Sequence, residues 1–159
     1  MSMKPHIGIS EKKLENTASI LSVVLADEMT LYVKTRKFHW NIYGESFMEL
    51  HKLFENQYKQ LEEIIDEVAE RINKLGEQTI GTMKEFLSLT SIKESAGKYP
   101  KQKEMLSELL SDHETIIVQL RKYIDKQQQE SIDAVTIDFI TGLMQQHETI
   151  SWILRRYLK

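Results

Sequence analysis

The chain has 159 residues, no cysteine and a formal charge of −3, with 41% hydrophobic and 28% charged residues. That length and balance suit one globular domain over residues 1–159, and the missing thiol excludes disulfide frameworks, thiolate zinc sites, iron–sulfur clusters and cysteine nucleophiles. The net charge argues against a basic nucleic-acid-binding surface over the whole chain. No apolar run approaches the roughly 20 residues that span a bilayer, and MSMKPHIGIS lacks a signal-peptide pattern. A soluble cytoplasmic protein is the resulting expectation.

Two prolines and six glycines separate long stretches of 3.6-residue periodicity, which predicts an all-α protein. Residues 1–9 are expected to form a flexible tail. A first helix starts after Ser10, with Glu11 in its positive first turn. Its apolar face runs through Leu14, Ala18, Leu21, Leu25 and Tyr32, and a further heptad step reaches His39. Asn41 to Gly44 reads as a turn. Ser46 and Glu49 have the spacing of a capping box, so a second helix runs from there to Leu75, with Gly76 as its stop. Residues 77–99 form a long connection, in which Thr82 to Leu89 can make a short helix because Met83, Phe86 and Leu87 share a face. Pro100 suits the first turn of a third long helix that continues to about Gln128, and a fourth runs from about Asp133 to Leu158. Four long helices with one extended crossover between the second and third, and a short extra helix within it, point to a ferritin-like four-helix bundle.

At about 100° per residue, the second helix separates into two faces. Leu50, Leu53, Phe54, Leu61, Ile64, Ile65, Val68, Ile72 and Leu75 form the expected core stripe. His51, Glu55, Asp66 and Glu70 fall in a different arc, and a solvated charged face is the simplest reading of it. Yet His51/Glu55 and Asp66/Glu70 each have i,i+4 spacing, so each pair projects together. The pairs lie fifteen residues apart, about 22 Å along a helix, and metal–ligand bonds of roughly 2 Å cannot bridge that gap. If the pairs share a site, the second helix of another subunit supplies the missing half. Antiparallel packing about a two-fold axis near Gln60 and Leu61 then creates two identical sites. Imidazoles with carboxylates suit iron(II), manganese or zinc, and the chemistry available is oxidation of metal ions by oxygen or peroxide.

Three motifs occur in order: HWN at His39–Asn41, G-x-x-F-x-x-L-H-x-x-F-E at Gly44–Glu55, and D-x-x-A-E-R-I at Asp66–Ile72. Together they closely resemble the Dps family of miniferritins, and the resemblance extends from about Leu25 through the C-terminal HETISWILRRYL. It implies that His39, His51 and Glu55 of one subunit, with Asp66 and Glu70 of its two-fold mate, are ferroxidase ligands. Glu55 stands where the family often has aspartate. Trp40 matches a tryptophan thought to supply or trap an electron, and an aromatic packed at an interface is the alternative. The resemblance further implies a hollow dodecamer built from two-fold dimers. Such a shell oxidises iron(II) with hydrogen peroxide in preference to oxygen at a dinuclear centre, which zinc or manganese can also occupy. It stores ferric mineral and protects against oxidative stress. Asp133, Asp138 and Glu130 are candidates for an iron-entry pore, with favourable N-terminal helix charges as the other reading for the aspartates.

Lys4, Lys12 and Lys13 make a sparse basic arm, so any DNA binding should be weak and dependent on avidity. A nucleoid-associated DNA-coating protein, with iron oxidation secondary, is the alternative function. A structural assembly without a centre is a third, against which the five metal-competent side chains count. His113-Glu114 and His147-Glu148 are expected at the surface or an interface, and His6 in the tail.

Overall fold

The computed structural model describes residues 4–129 and 133–159; the pore candidate Glu130 lies outside them. The described residues form α1 (Glu11–Asn41), α2 (Phe47–Lys74), α3 (Met83–Leu89), α4 (Gln102–Gln129) and α5 (Ala134–Tyr157).

Pairwise contacts fix the directions. His39 meets His51, and Tyr32 meets Tyr58, so α1 and α2 are antiparallel. Gln102 reaches the Tyr43 carbonyl, while Lys34 pairs with Asp112, so α4 is antiparallel to α1. Tyr157 bonds Glu49, Gln60 bonds Gln146, and Arg71 bonds Asp133, so α5 is antiparallel to α2. The connection after α2 must therefore travel the length of the bundle, as the expected ferritin-like crossover does. It carries α3, which packs on α1. Asp27, buried on α1, pins its far end by accepting hydrogen bonds from the Thr90 hydroxyl at 2.9 Å and the Ser91 N–H at 2.6 Å.

The predicted stripe of α2 faces the core: Leu50, Phe54, Leu61, Ile64, Val68, Ile72 and Leu75 are buried, with Leu53 and Ile65 packed at its margin. Gly76 ends α2 in a Schellman arrangement, with Glu77 N–H donating to the Ile72 carbonyl and Gly76 N–H to that of Asn73. Its φ of +87° suits glycine, and an added Cβ would come within 2.4 Å of Pro5. Pro5 thus lies beside the end of α2, and Ile9 packs against the core.

Two helix starts differ from expectation. Ser46 has φ −93° and ψ 26°, outside the extended conformation that aims an N-cap hydroxyl at the first turn, and its side chain makes no capping bond. Glu49 instead accepts from the Tyr157 hydroxyl at 2.7 Å. The reciprocal capping box is at α3, between Thr82 and Glu85. Helix α4 opens at Gln102, two residues beyond Pro100, with Glu104 accepting from the Lys101 N–H.

Candidate metal centre

The short α1–α2 connection brings His39 and His51 face to face. Their rings stack with centroids 3.8 Å apart and planes inclined by 18°. His39 Nδ1 lies 2.8 Å from the His51 carbonyl oxygen, and His51 Nδ1 lies 2.9 Å from that of His39. A carbonyl oxygen can only accept, so both Nδ1 atoms carry the proton and donate. Each ring is thereby held in one tautomer, leaving an Nε2 lone pair of the kind that binds metals. The same bond engages the His39 carbonyl, one of the last in α1 without an intrahelical partner. Phe47 stacks beside His51 at 5.0 Å, and Tyr58 meets His39 edge-on at 5.2 Å.

Glu55 follows His51 by one helical turn. Hydrogen bonds from Lys59 and then Lys52 pull its carboxyl down to about 2, so it is ionised and needs no proton loss to bind a cation. Both lysines must yield if it does. Asp66 and Glu70 are exposed farther along α2, Glu70 paired with Lys74 at 3.0 Å. Asp66 lines an open groove with Tyr32, Glu62 and Glu63. The structure therefore brings His39 and His51 together, places Glu55 one turn beyond His51, and leaves Asp66 and Glu70 apart from them. Among the described residues of a single chain, no three His, Asp or Glu side chains converge on a metal position.

The other candidates sit elsewhere. Trp40 is 66% exposed, its ring 5.5 Å from the Arg36 guanidinium. Asp133 caps α5, accepting from the Val135 and Thr136 N–H groups and the Thr136 hydroxyl, and it pairs with Arg71 at 2.6 Å. Burial alone would raise its pKa, but these bonds and the Arg71 charge outweigh it and hold the carboxyl below the usual aspartate value. Asp138 lines a second groove with Glu67, Glu70 and Arg71.

His113 and His147 correct the sequence reading. Both are 0% exposed, in the middle of the bundle. His113 Nδ1 faces His147 Nδ1 at 2.8 Å, and His147 Nε2 lies 2.7 Å from Oε1 of Glu28, itself 0% exposed. Burial, and then the adjacent His147, push the His113 pKa well below the usual histidine value. The signal was present: His113 follows Leu106 and Leu109 at core spacing, and His147 falls among Ile140, Leu143, Met144 and Ile150. Reading the adjacent Glu114 and Glu148 as part of the same feature placed both histidines on the wrong face. Tyr58 was also missed, although it continues the arc of His51 one heptad later.

Residues 18–159 match the ferritin-like domain family, so the fold and the sequence define a member of that family. A low temperature-induced protein of Nostoc sp., described as uncharacterized, is 42% identical over 154 residues, covering 97% of this chain and 86% of its own. "DNA protection during starvation protein 2" of Bacillus anthracis is 36% identical over 140 residues, covering 87% of this chain and 94% of its own. The crystal structure of the Vibrio cholerae O1 Dps protein, described as a member of the ferritin-like diiron-carboxylate superfamily, superposes with TM-score 0.91 at 28% identity and covers 100% of this chain and 98% of that one. DpsC from Streptomyces coelicolor gives 0.93 at 26% identity, with coverage of 99% and 91%. Within the ferritin-like family, the chain belongs with the Dps miniferritins.

Proposed function

We propose that this protein oxidises iron(II) at centres shared by two subunits and stores the ferric product inside a hollow dodecamer. The observation that supports this most is the reciprocal Nδ1 bonding of His39 and His51, which leaves two Nε2 lone pairs, with an ionised Glu55 one helical turn beyond His51. This donor set fits iron, since imidazole and carboxylate both suit it. In this reading the two imidazoles position the metal and Glu55 supplies charge. Asp66 and Glu70 of the two-fold mate complete the set, because about 22 Å of helix separates that pair from the His51/Glu55 pair of their own chain. Two iron(II) ions give two electrons to one hydrogen peroxide, which takes up two protons and leaves as water. Consuming both reactants together suppresses hydroxyl-radical formation. Asp138 is the better candidate for the iron-entry path, since Arg71 already neutralises Asp133.

The test is anaerobic iron(II) loading followed by a peroxide pulse, with wild type beside His51→Ala and Glu70→Ala. Each variant should slow oxidation by at least about 100-fold, the upper range for losing even an outer partner of a metal ligand. Equal rates in all three would eliminate the centre.

DNA coating is the second reading, favoured by the name of the Bacillus anthracis relative. Here Lys4 is paired with Glu11 at 3.1 Å and Glu15 at 3.5 Å, which weakens an already sparse basic arm. Gel shifts across a salt series separate the readings, because phosphate-driven binding falls steeply with salt.

A further inference from the structure

In the single chain the Glu55 carboxylate carries two ammonium groups. Lys52 donates to it at 3.0 Å from the preceding turn, and Lys59 donates to its other oxygen from the following turn. Iron at Glu55 must displace both, so the place each lysine moves to governs how readily the metal binds. At about 100° per residue, Lys59 and Glu62 fall inside the arc that His51 and Glu70 bound on α2. Both are exposed, and Glu62 lines the groove that holds Tyr32 and Asp66. Within one chain Glu62 attracts Lys59 only weakly, behind the hydrogen bond and charge of Glu55.

Antiparallel two-fold packing separates the fates of the two lysines. When Glu55 faces Asp66 of the partner subunit, four residues toward the axis on each helix bring Lys59 opposite Glu62 of the partner subunit. Lys52 stands at the outer end of the paired length, opposite Ala69 of the partner subunit, and water can receive its ammonium group. Lys59 lies next to the axis, where the second copy covers it. A charge taken out of water there needs a partner of opposite sign. The intervening residues offer none, since Gln60 is bonded to Gln146 and Leu61 lies in the core.

We propose that dimer formation hands Lys59 from Glu55 of its own chain to Glu62 of the partner subunit, and so opens Glu55 to iron(II). This rests on the shared-centre reading above. The two-fold axis performs the exchange twice, leaving two ammonium–carboxylate pairs beside the axis and a freed Glu55 in each centre. Glu62 is a positioning residue: it acts on the metal through Lys59. An isolated chain is then inactive for two reasons, because it lacks Asp66 and Glu70 of the mate and because its own Glu55 is locked.

The experiment measures cobalt(II) binding to the assembled protein by anaerobic calorimetry, cobalt(II) standing in for iron(II) on imidazole and carboxylate ligands. Wild type, Glu62→Gln, Lys59→Met and the double variant are compared. Sedimentation of the metal-free proteins over a dilution series gives their dimer dissociation constants in parallel. Both positions are exposed, so the substitutions spare the core. In Glu62→Gln, Lys59 stays on Glu55, and cobalt(II) affinity should fall at least about tenfold, the low end for a close charge pair across an interface. In the Lys59→Met background the same substitution should cost far less. The two substitutions should also weaken the metal-free dimer non-additively. Unchanged affinity in Glu62→Gln, or an equal loss in both backgrounds, would overturn the exchange and leave the centre standing. Coupling in affinity with no change in dimer dissociation would put the acceptor in the same chain and overturn it too. A wild type that binds no cobalt(II), or does not dimerise, would overturn the shared centre as well.

Discussion

The molecule holds two histidine pairs that use the same chemistry in opposite ways. In the bundle core, His113 and His147 spend their facing nitrogens on each other, and His147 spends its second on Glu28. At the α1–α2 connection, His39 and His51 spend Nδ1 on backbone carbonyls and keep an Nε2 lone pair. The first pair is tied to a carboxylate of its own chain. The second has Glu55 beside it but lies far from Asp66 and Glu70. The difference teaches that what a histidine's nitrogens are bonded to decides whether a lone pair is left for another ligand. In one place that is the side chain of a packed core, in the other the main chain of a helix end.

The comparison breaks most visibly at His147. His147→Ala leaves buried polar atoms of Glu28 and His113 without their partner, and each such orphan costs about 1–3 kcal/mol, so the variant should lose at least that order of stability in denaturant unfolding. Rates of iron oxidation per folded molecule should be kept. His39→Ala should do the reverse, with iron oxidation lost and unfolding shifted far less. If both variants lost stability equally, the two pairs would not be distinct in kind.

A smaller effect concerns pH. The folded state holds His113 below the ordinary value of 6.5, so the unfolded chain binds a proton that the folded chain refuses. Stability should therefore fall as pH drops through that value, by up to about 1.4 kcal/mol per pH unit, until the folded pKa is reached. Denaturation midpoints between neutral and mildly acidic pH should flatten in His113→Asn. An unchanged slope would show that this imidazole is not the titrating group.

The next effect sharpens the role of Asp133. Asparagine caps a helix about as well as aspartate, whereas alanine costs about 1 kcal/mol. Asp133→Ala should lower stability by that order, and Asp133→Asn by less. If Asp133→Asn also slowed iron uptake into the assembled shell, the residue would serve entry as well as capping. Smallest is Lys59→Ala, which frees Glu55 from one competing cation and should tighten iron(II) binding slightly.

The bundle was legible in the sequence because α2 and its crossover announce themselves through local signals. The stripe from Leu50 to Leu75, the stop at Gly76 and the Thr82 to Leu89 segment all depend on residues within a few positions. Four candidate ligands were legible as an arc on α2, and His39 joined them only through the resemblance. Their tautomers were not, because the bonds that set them join residues twelve positions apart across a turn. The Glu28–His147–His113 chain was less legible still. It joins three helices, and each member alone looks like an ordinary charged or polar residue near others of its kind. Ser46 shows the same limit on a small scale: its spacing to Glu49 was right, but backbone geometry decides whether a hydroxyl caps.

The central claim is that each centre draws on two subunits, and subunit mixing tests it most directly. His51→Ala and Glu70→Ala, each inactive alone, are dissociated together and reassembled. A hybrid dimer then contains one doubly broken site and one intact site. Random pairing makes roughly half the dimers hybrid, so peroxide-driven iron oxidation should recover to roughly a quarter of the wild-type rate. A mixture that stays inactive, although mass spectrometry shows hybrid dimers, would contradict the shared centre.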